Sequence, residues 1–213
     1  PEDKMVMPNS KKVPMMDINK VLPDVDLNQP DKTSISVAMS DSSKQDELKP
    51  FTDKRSFIDT LMPYAKKVAK SLGISPAVLV AQSALETGWG KKIINGADNQ
   101  SSFNLFNIKA NKSWQGDKVA KDSLEVENGI GIKRRSDFRS YDNFAQSFAD
   151  YEKFITNNQR YQGALQQGAD AERYIEELQQ AGYATDPQYA DKIKKIMQSE
   201  SFQSTLAEGA ING

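Results

Sequence analysis

The chain contains neither cysteine nor histidine. Without cysteine there is no disulfide framework and no thiol nucleophile. Without histidine there is no Ser-His-Asp triad and no His-ligated metal site. Proton transfer near neutral pH therefore falls to Asp, Glu, Tyr, Lys or water. No apolar run approaches the roughly 18 residues of a membrane-spanning helix. Neither sign of charge dominates: 28 Lys and Arg stand against 29 Asp and Glu, for a formal net charge of −1. That balance gives no global argument for nucleic acid or an anionic membrane as partner. No acidic Ca²⁺-binding loop is present, and no motif asks for a metal or cofactor.

The first fifty residues lack two further things, aromatic side chains and glycine, while holding six of the prolines. Ser, Asp and Lys fill much of the rest, above all from Asp31 to Lys49. Such a segment cannot bury enough apolar surface to offset its ordering entropy, so residues 1–50 read as a flexible, disordered linker. An alternative is a short partner-binding element built on Met5, Met7, Met15, Met16 and Val21-Leu22. The chain opens on Pro1 rather than Met, which points to a start inside a longer gene product. No signal peptide is visible.

From Phe51 the composition changes. Thr52 or Asp53 can cap a helix that runs through Leu72 and stops at Gly73. Phe57, Leu61, Tyr64, Ala65 and Val68 recur at spacings of three and four and face a core. Next comes S-P-A-V-L-V-A-Q-S-A-L-E-T-G-W-G, Ser75 to Gly90. Ser75 suits the N-cap and Pro76 the first helical position. Val78, Leu79, Val80, Ala81, Ala84 and Leu85 leave this helix apolar on nearly every side, so it belongs inside a core. Glu86 is its only carboxylate, and Gly88 and Gly90 end it, with Trp89 alongside. The negative end of the helix dipole and apolar neighbours both oppose ionisation there, so a raised pKa is expected, as a general acid requires. A solvated Glu at a helix end is the other reading.

Gly116 to Tyr141 reads as a β-hairpin closed by Asn128-Gly129. That turn sets Glu127 opposite Ile130 and Glu125 opposite Ile132. Phe144, Phe148, Tyr151 and Ile155 form a core stripe on the next helix, and Asp150 points away from it. Ala171, Tyr174, Ile175 and Leu178 form another, capped by Asp170 and stopped by Gly182. Asp186 and Pro187 start a last helix with Tyr189, Ile193 and Ile196 inward. The tail after Phe202 reads as frayed, residues 203–213. Phe103 and Phe106 could line a sugar groove but suit a core better, and Trp114, among polar neighbours, suits partial exposure and sugar stacking.

Five motifs occur in order: A-L-E-T-G-W-G, N-L-F-N-I-K (Asn104 to Lys109), F-R-S-Y (Phe138 to Tyr141), S-F-A-D-Y (Ser147 to Tyr151) and G-Y-A-T-D-P (Gly182 to Pro187). Together they resemble the peptidoglycan-cleaving glucosaminidases of glycoside hydrolase family 73, and most of all its flagellar members. The resemblance covers Phe51 to about Phe202. It departs at Asn107, where the family usually has Gly; Asn also tolerates a left-handed backbone. The resemblance implies an α+β, mostly α, lysozyme-like helical domain over 51–202 with a small β-hairpin lobe. It implies cleavage of the β-1,4 bond from N-acetylglucosamine to N-acetylmuramic acid in peptidoglycan glycan strands. Glu86 would be the proton donor, Glu125 the second acidic residue on the β-lobe, and Tyr183 a residue that positions substrate. Asp150 is the alternative second carboxylate. Trp89, Asn104, Phe106, Trp114 and Tyr141 are the candidate substrate-binding residues. Flagellar rod proteins as partners, and export through the flagellar apparatus to the periplasm, follow from the same resemblance. Two carboxylates about 5 Å apart would favour retention, and about 6.5–9.5 Å inversion. A lytic transglycosylase, a non-catalytic glycan-binding module and a rod-docking structural protein are the alternative functions.

Overall fold

The computed structural model describes residues 51–127 and 130–211, without the side chains of 123–133 and 210–211. The linker reading of 1–50 and the Asn128-Gly129 turn itself lie outside the described residues. The order is α1 (Lys54–Leu72), α2 (Pro76–Thr87), β1 (Lys118–Glu127), β2 (Ile130–Arg139), α3 (Phe144–Thr156), α4 (Gln162–Gln166), α5 (Ala171–Gln180), α6 (Tyr189–Gln198) and α7 (Glu200–Ile211). This is the mostly helical α+β fold with a hairpin that the sequence leads one to expect.

Local chemistry sets the helix ends. Asp53 caps α1: its carboxylate accepts from the Ser56 N–H at 2.7 Å while its own N–H donates to Ser56 Oγ at 3.1 Å. Gly73 ends α1 in the left-handed region, φ 68°. Ser75 is the N-cap of α2, but its side chain makes no capping bond, so Pro76, with no N–H to satisfy, fixes that start. Asp170 caps α5 through two backbone N–H groups.

The core gathers around α2. Val78, Leu79, Val80 and Ala81 are fully buried, and so are the polar Gln82, Ser83 and Thr87 one or two turns on. Around them pack Phe57, Leu61 and Ala65 of α1, Phe148, Tyr151 and Ile155 of α3, Tyr174 and Leu178 of α5, and Tyr189 and Ile193 of α6. After α2 the chain takes three consecutive left-handed residues, Gly88, Trp89 and Gly90. Gly90 is obligatory for a second reason: a Cβ there would sit 2.1 Å from the Phe51 ring.

The hairpin pairs Lys118 with Arg139 through to Glu127 with Ile130, and Glu125 pairs with Ile132. This is the register the two-residue turn dictates. At its base the loop residues Ile108–Ala110 pair with β2: Arg139 N–H donates to Ile108 O at 3.0 Å and Ala110 N–H to Asp137 O at 2.9 Å.

Two expectations need correction at the C-terminal end. Asp186 and Pro187 precede α6 rather than begin it. Asp186 organises the turn by accepting from the Gln188 N–H at 2.9 Å; Ile196 packs on the core while partly exposed, and Met197 joins the buried stripe. Residues 203–211 are not the frayed tail expected there. They continue α7, with Phe202 and Thr205 buried, Leu206 packed on the core and Glu208 paired to Arg55 of α1. Ending the chain at Phe202 should therefore lower the unfolding free energy by about 2 kcal/mol or more, from the lost burial of Leu206 and its turn. Urea denaturation of the two lengths measures it, and equal midpoints would mean that α7 contributes nothing.

Candidate active site

Glu86 stands on the last turn of α2. Part of its surface stays open, while protein encloses the carboxyl closely enough for burial to raise its pKa above the ordinary carboxylate value. Desolvation is the largest cause. Hydrogen bonds from Asn107 and Tyr189 oppose it without cancelling it. Asn107 Nδ2 donates to Glu86 Oε2 and to the Glu86 carbonyl oxygen, both at 2.9 Å.

Behind the acid lies a buried line of hydroxyls and one amide. Tyr151 OH donates to Gln82 Oε1 at 2.8 Å, and Gln82 Nε2 donates to Tyr189 OH at 2.9 Å. Tyr189 thus keeps its own hydrogen for Glu86. Tyr174 lies 2.9 Å from Tyr151, whose single hydrogen is already used, so Tyr174 donates. Burial pushes the pKa of all three tyrosines up, so they stay neutral.

Tyr183 leaves the turn after α5, where Gly182 is left-handed. Its hydroxyl donates to the Phe106 carbonyl at 3.1 Å, and its ring packs against Tyr189 at 5.7 Å and Tyr161 at 5.9 Å. Burial, then the neighbouring Glu86, raise its pKa. Glu86, Asn107, Tyr183 and Tyr189 therefore form one group drawn from four separate stretches of chain.

The other candidates fall elsewhere. Asn104 is fully buried and serves the loop. Its Oδ1 accepts from the Ile108 N–H, and Nδ2 donates to Ile108 O and Arg139 O, both at 2.9 Å. Phe106 is a core ring, 4.2 Å from Tyr151 between centroids. Both fasten the loop against the core: Phe106 takes the core alternative of its two readings, and Asn104 is buried where the resemblance suggests a substrate contact. Tyr141 is buried too, and donates to Asp150 Oδ2 at 2.7 Å.

Asp150 takes two bonds from Arg139 Nη1, at 2.8 and 2.9 Å, with side-chain exposures of only 13% and 11% for the two residues. It ties the base of the hairpin to α3 and cannot serve as a free second carboxylate. Arg139 lies 4.5 Å from the Trp114 ring and 5.6 Å from the Phe154 ring. Trp114, half-buried, also donates to Asp117 O at 2.9 Å. Trp89 faces away into another cluster, 5.7 Å from Phe57 and 6.4 Å from Phe202, with Lys54 over its ring at 5.0 Å. Glu125 holds its strand position opposite Ile132, and its side chain lies outside the described ones.

Sequence reasoning missed Asn107, Gln82, Tyr189 and Arg139. Gln82 carried a signal: it is the one amide of α2, four residues before Glu86 and so on the same face. Tyr189 carried another, since a buried tyrosine hydroxyl needs a partner. Among the described residues no group of acidic side chains could hold a metal ion, and no helix is long and apolar enough to cross a membrane. A surface depression of about 380 Å³, lined by Phe51, Gly90, Lys91, Ile93, Asn95, Asn99 and Ser101, does not include Glu86.

Residues 62–202 match the glucosaminidase family, whose description reads mannosyl-glycoprotein endo-beta-N-acetylglucosaminidase. Over 148 residues the chain is 51% identical to peptidoglycan hydrolase FlgJ of Vibrio parahaemolyticus, covering 70% of this chain and 48% of that protein. It is similar to the crystal structure of a peptidoglycan hydrolase mutant from Sphingomonas sp. A1, with TM-score 0.66, 41% identity, and coverage of 72% of this chain and 99% of that one. It is also similar to a C-terminally truncated glycoside hydrolase domain of Salmonella typhimurium FlgJ, with TM-score 0.59, 35% identity, and coverage of 73% and 99%. The chain spans less than half the length of the FlgJ proteins it matches from two Vibrio species and Pseudomonas aeruginosa.

Two measurements follow from this geometry. Asp150→Ala leaves the Arg139 guanidinium buried and unpaired, so stability should fall by about 3 kcal/mol in urea titration. An unchanged midpoint would return Asp150 to the list of catalytic candidates. Glu86, with a raised folded pKa, contributes stability that is full below its unfolded pKa and is lost as pH rises through the folded value. Glu86→Gln should therefore raise Tm relative to wild type at pH 7, and the gap should close near pH 4. A gap independent of pH would contradict a buried, neutral-leaning acid.

Proposed function

Since the chain belongs to the glucosaminidase family, we propose that its folded part hydrolyses peptidoglycan, cutting the β-1,4 bond from N-acetylglucosamine to N-acetylmuramic acid. One observation carries the reading: a single carboxyl, held towards its neutral form by burial, at the open end of an otherwise enclosed helix. Hydrolysis of a glycoside needs a proton on the leaving oxygen and stabilisation of an oxocarbenium-like centre. Glu86 supplies the proton. Glu125 on β1 activates water or stabilises the positive charge. Tyr183, whose hydrogen is taken by the Phe106 carbonyl, presents an oxygen that accepts from the substrate acetamido N–H or from water. Trp114, part-exposed at the hairpin base, is the aromatic surface for a sugar ring.

The likeness to proteins named FlgJ supports a place for this activity in the periplasm, where the flagellar rod crosses the wall, with rod proteins as partners. The residues before Phe51 then serve as a tether between the hydrolase and whatever precedes it.

Purified peptidoglycan digested with wild type and Glu86→Gln, and read by mass spectrometry, tests the proposal. Products with a reducing N-acetylglucosamine end are expected, at a rate about 10²–10⁴-fold lower in the variant. Anhydro products would make the protein a transglycosylase. Wall binding without product would make it a glycan-binding module.

A further inference from the structure

Asn107 occupies a position the resembling family usually gives to Gly, and its backbone is left-handed, φ 49°. Glycine there would satisfy the turn, so the amide is not needed for it. What the amide does instead is shown by its two contacts, the Glu86 carbonyl and Glu86 Oε2. The carbonyl belongs to the last turn of α2. Its i+4 donor, Gly90 N–H, goes to Thr87 Oγ1 at 2.9 Å, so Asn107 takes that donor's place. A carbonyl oxygen only accepts, so the nitrogen of the Asn107 amide must face it whatever the protonation state of Glu86. The second hydrogen of the same NH₂ is thereby aimed at Oε2.

We propose that Asn107 is a positioning residue for the acid: it pins the Glu86 carboxyl to the end of its own helix, holds Oε2 as an acceptor, and sets the upper pH limit of the reaction. This rests on the reading of Glu86 as proton donor. The sign follows from hydrogen bonding. A donor facing a carboxyl group favours its charged form, so losing that donor keeps the acid protonated to higher pH. The groups around Glu86 do not confuse this. Tyr189 of α6 and Tyr183 of the turn before it are held neutral by burial, and α2 carries no other ionisable side chain. Lys91 and Lys92 are the cations of the following turn, and the Lys92 stem lies over Gly88. The hairpin side chains 123–133 are not among those described.

The test uses Asn107→Gly, which suits the backbone, and Asn107→Asp, which keeps the shape but offers Oε2 no donor. Two readouts are taken on the full chain: the pH dependence of kcat on peptidoglycan, and the titration of the Glu86 carboxyl by ¹³C NMR, its signal assigned by its loss in Glu86→Gln. In both variants the Glu86 midpoint and the alkaline limb of kcat should move up by about half a pH unit or more, further for Asp. The maximal kcat should fall several-fold with KM little changed. A fall in kcat with neither the midpoint nor the limb moved would make Asn107 a structural loop residue and overturn the inference. If wild type releases no product, the functional reading fails, while the NMR midpoints still decide whether Asn107 controls Glu86. Should one variant fail to fold, the other carries both readouts.

Discussion

A helix with no polar face has to be enclosed on every side, and the rest of the structure follows from enclosing α2. Four of its residues in succession, Val78 to Ala81, are wholly buried, with α1 and α6 packed against the helix and α3 reaching it through Tyr151. Apolar burial of this kind is worth about 1.5–3 kcal/mol per large side chain. It also fixes the helix axis, and with it the place where the one carboxyl emerges. The same enclosure that orders the core removes water from Glu86. Stability and reactivity are coupled at that residue with opposite signs: a buried carboxyl is a cost in the folded state when charged and an asset when it must hold a proton.

The hairpin answers to a different interaction. Arg139 gathers Asp150, the Lys109 carbonyl and the rings of Trp114 and Phe154 around one guanidinium. A planar, delocalised cation can do this where a lysine cannot, because it donates in its plane and stacks across its faces. Tyr141 completes the carboxylate's shell. The base of β2 is thereby welded to α3, and Asn104 fastens the preceding loop to the same strand end.

What the sequence made legible was local or periodic. The Asp53 cap, the Gly73 stop, the core stripes of α3 and α5 and the hairpin register each depend on residues within a turn or two of one another. The raised acid was legible because composition alone surrounds Glu86 with apolar neighbours on its own helix. The failures share another cause. The resemblance offers Asn104 as a substrate contact; here its side chain is buried together with the backbone it satisfies. The Asn107 contact joins residues twenty-one positions apart, and no pattern within either segment encodes it. α7 escaped because its face is made of small and polar residues around Phe202 and Leu206, a weak periodic signal that tertiary packing completes.

The row Tyr174, Tyr151, Gln82, Tyr189 ends on Glu86, and with the amide as placed every hydrogen along it points the same way. Its effect resembles that of a solvent frozen in the act of solvating. When the carboxyl gives up its proton, the negative charge meets an O–H already turned towards it, backed by dipoles already aligned. Water would have to rotate to do the same, at a cost in free energy borne at the moment of reaction. A fully buried line of tyrosines and one glutamine, assembled from four helices, makes that alignment part of the fold.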